Sequence, residues 1–296
     1  MHAPLFTSSL FAACILAGIF GTSLQAQHNG QDTLPIKSGA KIAFLGDSIT
    51  QSGQRNASGY CKLVIRGLAA VGVKAELIGA GISGHKSNQM LARLERDVLK
   101  KNPDWMTLSC GVNDVWHGDR GVLLPDYKKN ITAIVDRAQA KGIKVMILTS
   151  TMITEDAADK RNVRLAAYNA FLKQLAAEKS CLFADLNGAM QAALVPSEKI
   201  PGGKQLTNDG VHMNVRGNIM MAKCVLRAFG LSDEQLAKIT IDFETMKSNA
   251  QVRSNVRVNA QKFQKLQLAA GKLGLSIDQL IQRIVDDGIK SILNAN

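Results

Sequence analysis

Short apolar runs of strand length alternate along this chain with longer segments of helical periodicity. The apolar runs predict five strands, at residues 41–45, 75–78, 105–110, 143–149 and 181–184. The segments between them are amphipathic and predict helices at residues 59–71, 87–101, 126–141 and 160–179. Regular alternation of strands and helices favours right-handed crossover connections and therefore a parallel sheet.

The alternation predicts a three-layer α/β/α domain over residues 38–230, in which a five-stranded parallel sheet lies between two layers of helices. In sheets of this kind, ligands bind beyond the carboxyl ends of the strands. We therefore expect the functional residues in the loops that directly follow the apolar runs.

Residues 231–296 depart from this alternation. Ser232 with Gln235, and Ser276 with Gln279, have the spacing of helix capping boxes. The second box opens an apolar helical stripe formed by Ile277, Leu280, Ile281, Ile284 and Val285. We expect a helical C-terminal extension. It could pack on its own domain, which is the default expectation, pair with a second subunit, or contact another partner.

The first 26 residues contain no Asp, Glu, Lys or Arg, and an apolar run at 10–20 leads to a possible cleavage point after Ala26. This pattern predicts a secretory signal peptide over residues 1–26, although its start lacks the usual basic residue and a buried or spanning helix is the alternative. Cys14 loosely resembles the cysteine of a bacterial lipobox. No other stretch is apolar enough to span a bilayer. We expect export to the periplasm or the medium, without stable membrane insertion.

The chain is basic, with 36 Lys and Arg against 24 Asp and Glu and a net charge of +12. These charges are scattered and few aromatic residues lie between them, so we expect no nucleic-acid partner. Cys61, Cys110, Cys181 and Cys224 show no metal-binding spacing, and no HExxH or phosphate-binding loop is present. We therefore expect neither a metal nor a cofactor. The sequence leaves the oligomeric state open.

A candidate nucleophile follows the first predicted strand in the segment Gly46-Asp47-Ser48. A serine hydroxyl is a weak nucleophile unless a base accepts its proton and a third group orients that base. Asp209 and His212, three residues apart, have the spacing that lets the carboxylate orient the imidazole. These residues predict a Ser48, His212, Asp209 triad.

Three donors could stabilise the oxyanion that forms when such a serine attacks a carbonyl. They are the backbone N–H groups of Ser48 and Gly84 and the side-chain amide of Asn113. Gly84 and Asn113 follow the second and third predicted strands, and so belong to the same edge of the sheet as Ser48. Because one such donor is typically worth about 3 kcal/mol in the transition state, we expect Asn113 to act in catalysis.

These residues resemble the SGNH (GDSL) hydrolase family of esterases and lipases. Ser48, Gly84, Asn113 and His212 match the four residues that give the family its name, and Asp209 matches its triad acid. The resemblance implies a flavodoxin-like α/β fold and ester hydrolysis without a cofactor. Residues 111–118 resemble, more loosely, the branch of lysophospholipase L1-like and carbohydrate acetylesterase-like enzymes.

The resemblance implies a serine esterase acting on a short-chain acyl ester, acetyl foremost, of a small-molecule or polysaccharide substrate. Its export is a separate expectation that rests on the leader at residues 1–26. A lysophospholipase or thioesterase, or an inactive binding module of the same fold, are the alternatives. Side chains beside the motif loops are candidates for the substrate pocket, namely Asp47, His85, Asp114, Trp116 and His117. At His85 many members of the family have Asp, so the local charge differs.

Residues 79–84 also match the G-x-G-x-x-G pattern of dinucleotide-binding folds. However, this match follows the second predicted strand rather than the first, and the third strand ends at Cys110 and Gly111 without an acid that could bind a ribose. We therefore expect no nicotinamide or flavin cofactor.

Overall fold

The computed structural model describes residues 34–194, 204–246 and 259–295. Within these ranges, five strands form one parallel sheet in the order β2-β1-β3-β4-β5. The strands are β1 Lys41–Gly46, β2 Glu76–Gly81, β3 Trp105–Ser109, β4 Lys144–Leu148 and β5 Leu182–Ala184. The predicted five-stranded parallel α/β fold is confirmed.

The central strands are buried on both faces, which explains why they appear in the sequence as continuous apolar runs. In β1, Ile42 to Leu45 are fully buried, and Ile42 pairs in register with Trp105 of β3. Strand β2 continues three residues beyond the predicted end, to Gly81. A Cβ at Gly81 would overlap the backbone of the helix that follows β1, so glycine is needed there for close packing.

The helices between the strands lie where the sequence predicts them. They are α2 Tyr60–Ala70, α3 Ser87–Asp97, α5 Leu124–Gln139 and α6 Lys160–Glu178. Further helices are α1 Ser48–Arg55, α4 Val112–Trp116, α7 Leu186–Ala193 and α8 Val215–Ala228, with 3₁₀ turns at Leu99–Lys101 and Gly118–Arg120. Helices α2, α7 and α8 form one packed group, and α3, α5 and α6 form another. The sheet and these two groups make up the three layers.

The C-terminal helices are α9 Asp233–Thr245, α10 Ala260–Lys272 and α11 Ile277–Asn294. The capping boxes at Ser232 and Ser276 are both formed. Helix α9 packs on the core of the α/β domain through Leu236 and Phe243, whereas α10 and α11 pack on each other. The boundary at residue 230 stays a prediction.

The apolar stripe of α11 differs from the expectation that it packs on its own domain. Leu280 is buried, but Ile284 is 52% exposed and Val285 38% exposed, and Ile289 continues the exposed stripe. No described helix is both long and apolar enough to cross a membrane. The predicted leader at residues 1–26, with Cys14, lies outside the described residues. The four cysteines that the structure describes are free thiols.

Candidate active site

The turn between β1 and α1 presents Ser48 at the carboxyl edge of the sheet. Asp47 caps α1, because its buried carboxylate accepts a hydrogen bond from the backbone N–H of Ile49 at 3.0 Å. Ser48 is the first residue of the helix, where backbone N–H groups have no partner within the helix. The side chain and the N–H of Ser48 are therefore both available to a ligand at this edge.

The loop before α8 brings an acid and a base to this serine. His212 Nε2 lies 2.9 Å from Ser48 Oγ, and His212 Nδ1 lies 2.6 Å from Asp209 Oδ2. The other oxygen of Asp209 accepts hydrogen bonds from the backbone N–H groups of Val211 and His212. The three side chains that the sequence nominated as a triad thus form one continuous hydrogen-bonded chain.

The carboxylate of Asp209 is held in its ionised form. Partial burial raises the pKa of this carboxyl, but hydrogen bonds from the His212 side chain and from the backbone of His212 and Val211 outweigh burial and lower the pKa below its ordinary value. The side chains of His212 and Asp209 are 43% and 53% exposed. The pair is therefore open to solvent.

The two other candidates for an oxyanion site lie on neighbouring loops. Gly84 follows β2 and is exposed, with a φ of +74° that favours glycine. The amide of Asn113, in α4, donates to Asp47 Oδ2 at 3.3 Å and to the carbonyl oxygen of His85 at 3.2 Å. Both contacts are long, so Asn113 could donate to an oxyanion by exchanging one of them.

The acidic candidates Asp47 and Asp114 lie beneath the surface instead of lining a pocket. Burial raises the pKa of Asp47 to about 6. Asp114 is fully buried and accepts hydrogen bonds from the backbone N–H and hydroxyl of Ser87 and from the thiol of Cys110. Asp114 therefore ties the loop after β3 to the start of α3, and its side chain is not exposed at the surface of the site.

The remaining candidates border the site in different ways. His85 is half-buried, and its Nδ1 accepts a hydrogen bond from Arg93 at 3.1 Å. Burial and the charge of Arg93 lower the pKa of His85. Trp116 is 40% exposed, with the Arg161 guanidinium 5.5 Å from its ring centre, and His117 is exposed. Trp116 and His117 can therefore contact a ligand directly.

Sequence reasoning missed Glu155, in the loop between β4 and α6. Its carboxylate accepts hydrogen bonds from the backbone N–H groups of Gln205, Leu206 and Thr207 and from the Thr207 hydroxyl. These residues begin the loop that carries His212. The only sequence signal was the position of Glu155 after a predicted strand. In the described ranges, no group of three or more His, Cys, Asp or Glu side chains could hold a metal ion.

Comparison with known proteins places this chain among esterases. An acetylxylan esterase from Geobacillus stearothermophilus is 29% identical over 218 residues, which cover 67% of this chain and 97% of that protein. Its crystal structure superposes with a TM-score of 0.59 at 28% identity. The acetyl xylan esterase AlAXEase is 35% identical, with a TM-score of 0.59 and coverage of 64% of this chain and 98% of that one.

Esterase TesA from Pseudomonas aeruginosa is 29% identical over 137 residues, covering 46% of this chain and 63% of that protein. Together with the acetylxylan esterases, it identifies the chain as a carboxylic ester hydrolase. A family model of GDSL-like lipases and acylhydrolases matches residues 44–218, more than half of the chain. The protein therefore belongs to the GDSL-like lipase/acylhydrolase family, the SGNH hydrolases.

Proposed function

We propose that the protein is an exported serine esterase that removes short acyl groups, acetyl foremost, from a carbohydrate. The observation that carries this proposal is the chain of contacts from Asp209 through His212 to Ser48, with distances of 2.6 Å and 2.9 Å. This is the arrangement that acyl transfer to a serine requires, because the hydroxyl needs a base and the base needs an orienting group.

The reaction begins when Ser48 Oγ attacks the ester carbonyl and passes its proton to His212 Nε2. Asp209 keeps the other imidazole proton on Nδ1 and stabilises the positive charge on the ring. His212 then gives its proton to the departing alcohol, which leaves an acyl group on Ser48. A water molecule, deprotonated by His212, hydrolyses this acyl-enzyme and regenerates the serine.

The attack places a negative charge on the carbonyl oxygen of the ester. Hydrogen-bond donors at the carboxyl edge of the sheet stabilise this charge. The Ser48 N–H lies at the positive end of α1, where the helix dipole favours an anion. The N–H of Gly84 and the amide of Asn113 complete the proposed oxyanion site. Asn113 exchanges its long contact with Asp47 for the oxyanion during the reaction.

Two observations support acetyl groups on a carbohydrate as the substrate. Acetylxylan esterases are among the similar proteins, and this chain matches them over nearly their whole length. In addition, the half-exposed His212 and Asp209 and the exposed ring of Trp116 suit a large polar substrate that approaches from solvent. The resemblance to esterase TesA keeps cleavage of a lipid-like ester or thioester as the competing function.

A rate comparison with p-nitrophenyl acetate tests the catalytic proposal. We expect Ser48→Ala to lose at least about 10³-fold in kcat, because the covalent step is removed. Ser52→Ala is the matched control, since Ser52 lies one turn along the same helix and accepts a hydrogen bond only from Asn56 among the contacts described for its hydroxyl. Equal rates for wild type and Ser48→Ala would instead favour a binding module.

Substrate preference is tested with acetyl, butyryl and octanoyl esters, followed by acetylated xylan and lysophosphatidylcholine. The proposal expects the highest kcat/KM with acetyl esters and release of acetate from xylan. A preference for octanoyl esters together with cleavage of lysophosphatidylcholine would favour the lipid-directed function. Export is tested by N-terminal sequencing of the protein from its native host, and retention of residues 1–26 on cytosolic protein would contradict it.

A further inference from the structure

The loop that carries Asp209 and His212 cannot be held in place by packing of those two side chains. Both are about half-exposed, so few neighbouring atoms restrict them. The 2.9 Å contact with Ser48 nevertheless requires the imidazole to stay within a fraction of an ångström of its position. The backbone of the loop must therefore be fixed from elsewhere.

Glu155 fixes the first part of this loop, residues 205–207, which we call its first leg. One carboxylate oxygen accepts hydrogen bonds from the backbone N–H of Leu206 at 2.8 Å, the N–H of Thr207 at 2.8 Å and the Thr207 hydroxyl at 2.7 Å. The other oxygen accepts a hydrogen bond from the backbone N–H of Gln205 at 2.7 Å. Charge-assisted hydrogen bonds of this length are roughly twice as strong as neutral ones.

The first leg passes this restraint directly to the base. Thr207 pairs with Met213 in an antiparallel bridge, and the Asn208 N–H donates to the carbonyl oxygen of His212 at 2.8 Å. The Thr207 hydroxyl donates a hydrogen bond to Glu155 and also accepts one from the backbone N–H of Gly210 at 3.0 Å. A shift at Thr207 therefore moves His212 with it.

The residue before Glu155 holds the tip of the same loop. The N–H of Thr154 donates to the carbonyl oxygen of Gly210 at 2.7 Å. Thr154 has a φ of +69°, a conformation that is unfavourable for a β-branched residue and persists only where the surroundings impose it. The segment after β4 thus contacts both the first leg and the tip of the loop.

We propose that Glu155 is a positioning residue for the reaction, which holds the loop of Asp209 and His212 at the distance from Ser48 that proton transfer requires. This inference rests on the proposed function of Ser48 and His212. No contact of Glu155 with Ser48 or His212 is described, and Glu155 acts through the backbone N–H groups of residues 205–207 and the Thr207 hydroxyl.

The protonation state of Glu155 agrees with this role. Partial burial raises the pKa of the Glu155 carboxyl, but the hydrogen bonds from Gln205, Thr207 and Leu206 outweigh burial and hold the pKa below its ordinary value. Glu155 is therefore an anion at neutral pH and accepts all of these hydrogen bonds.

The test compares Glu155→Ala, Glu155→Gln and Asp156→Asn in the full-length protein with p-nitrophenyl acetate. For Glu155→Ala we expect kcat to fall by about 10- to 100-fold, because displacing a catalytic group by about 1 Å costs that order of rate. KM should change less than twofold. Glu155→Gln keeps one acceptor oxygen and should recover part of kcat. Asp156→Asn makes the same carboxylate-to-amide change one residue along and should keep wild-type kcat.

A purely structural role predicts a different result, in which the melting temperature of Glu155→Ala falls while kcat per folded molecule stays within twofold of wild type. That result would overturn the inference. If Glu155→Ala does not fold, Thr207→Val removes the shared hydroxyl within a similar volume. We then expect at least a threefold loss of kcat, and an unchanged kcat would overturn the inference equally.

The two proposals fail in distinguishable ways. Full activity of Ser48→Ala would overturn the proposed function and, with it, the role of Glu155. An inactive Ser48→Ala together with a fully active Glu155→Ala would overturn only the role of Glu155.

Discussion

Replacing the buried carboxyl of Asp47 with an amide should make the protein more stable at alkaline pH. Asp47 is 3% exposed, and its pKa rises from 3.8 to about 6, chiefly because burial disfavours the charged form. At 1.36 kcal/mol for each tenfold change in proton affinity, this shift corresponds to about 3 kcal/mol. Between pH 3.8 and about 6 the native state binds more protons than the unfolded state. Stability therefore falls as the pH rises through this window.

Asp47→Asn removes this dependence because an amide does not ionise. The amide oxygen of the new Asn can still accept a hydrogen bond from the backbone N–H of Ile49 and cap α1, because Asn and Asp are similar capping residues. The variant loses the long contact with Asn113, at a cost of about 1 kcal/mol. We therefore expect Asp47→Asn to be about 2 kcal/mol more stable than wild type at pH 8 and about 0.5 kcal/mol less stable at pH 4.

Urea unfolding at pH 4, 6 and 8, followed by tryptophan fluorescence, measures this difference. Trp105 lies in β3 within the core, so its emission reports global unfolding. Asp119→Asn, which removes a carboxylate from an exposed position, controls for the change in net charge. A stability difference between Asp47→Asn and wild type that is the same at pH 4 and pH 8 would refute the argument from burial.

The remaining predictions concern the base, the pocket and the C-terminal helices. Asp209→Asn should lower kcat by about 10³- to 10⁴-fold in initial-rate assays, because an amide donor facing Nδ1 of His212 forces the proton onto Nε2; retention of a tenth of the activity would contradict this. Trp116→Ala should raise KM for acetylated oligosaccharides about tenfold and leave kcat for p-nitrophenyl acetate unchanged, as steady-state kinetics would show. We expect dimers through α10 and α11, because the stripe at Ile284 is exposed. Light scattering of a variant that lacks residues 259–296 tests this, and the same oligomeric state with and without these residues would argue against it.

The sheet could be predicted from the sequence because burial on both faces leaves an unbroken apolar run. The central strands show this in Phe44 and Met106, which are fully buried. The end of β2 could not be predicted in this way, because Gly79 and Gly81 carry no apolar side chain and are there to let α1 approach. Helix α1 was also missed, since it has eight residues and depends on its cap at Asp47.

Ser48, Gly84 and Asn113 could be placed at one edge of the sheet because each follows a strand. Asp209 and His212 do not directly follow any described strand, and only their spacing and motif linked them to Ser48. What could not be predicted is which way neighbouring side chains point. Asn113 and Asp114 are consecutive on a short helix, and successive residues on a helix point about 100° apart, so one faces the site and the other is buried. The contacts of Glu155 with Gln205 and Thr207 join residues about 50 positions apart, and no periodicity in either loop indicates such a pairing.

The separation of Ser48 from His212 has a consequence for how the enzyme is made. The two residues are 164 positions apart in the chain, and the last described strand ends at Ala184, before either Asp209 or His212. During synthesis the ribosome therefore adds Ser48 and the five described strands before it adds Asp209 and His212. Domains generally fold as units once enough of the chain has emerged. On the proposed mechanism, a nascent chain that has formed the sheet cannot hydrolyse an ester until Asp209 and His212 have been added. If Ser48 and His212 act as proposed, recovery of esterase activity during refolding should follow the closure of this long-range contact, and not the formation of individual helices.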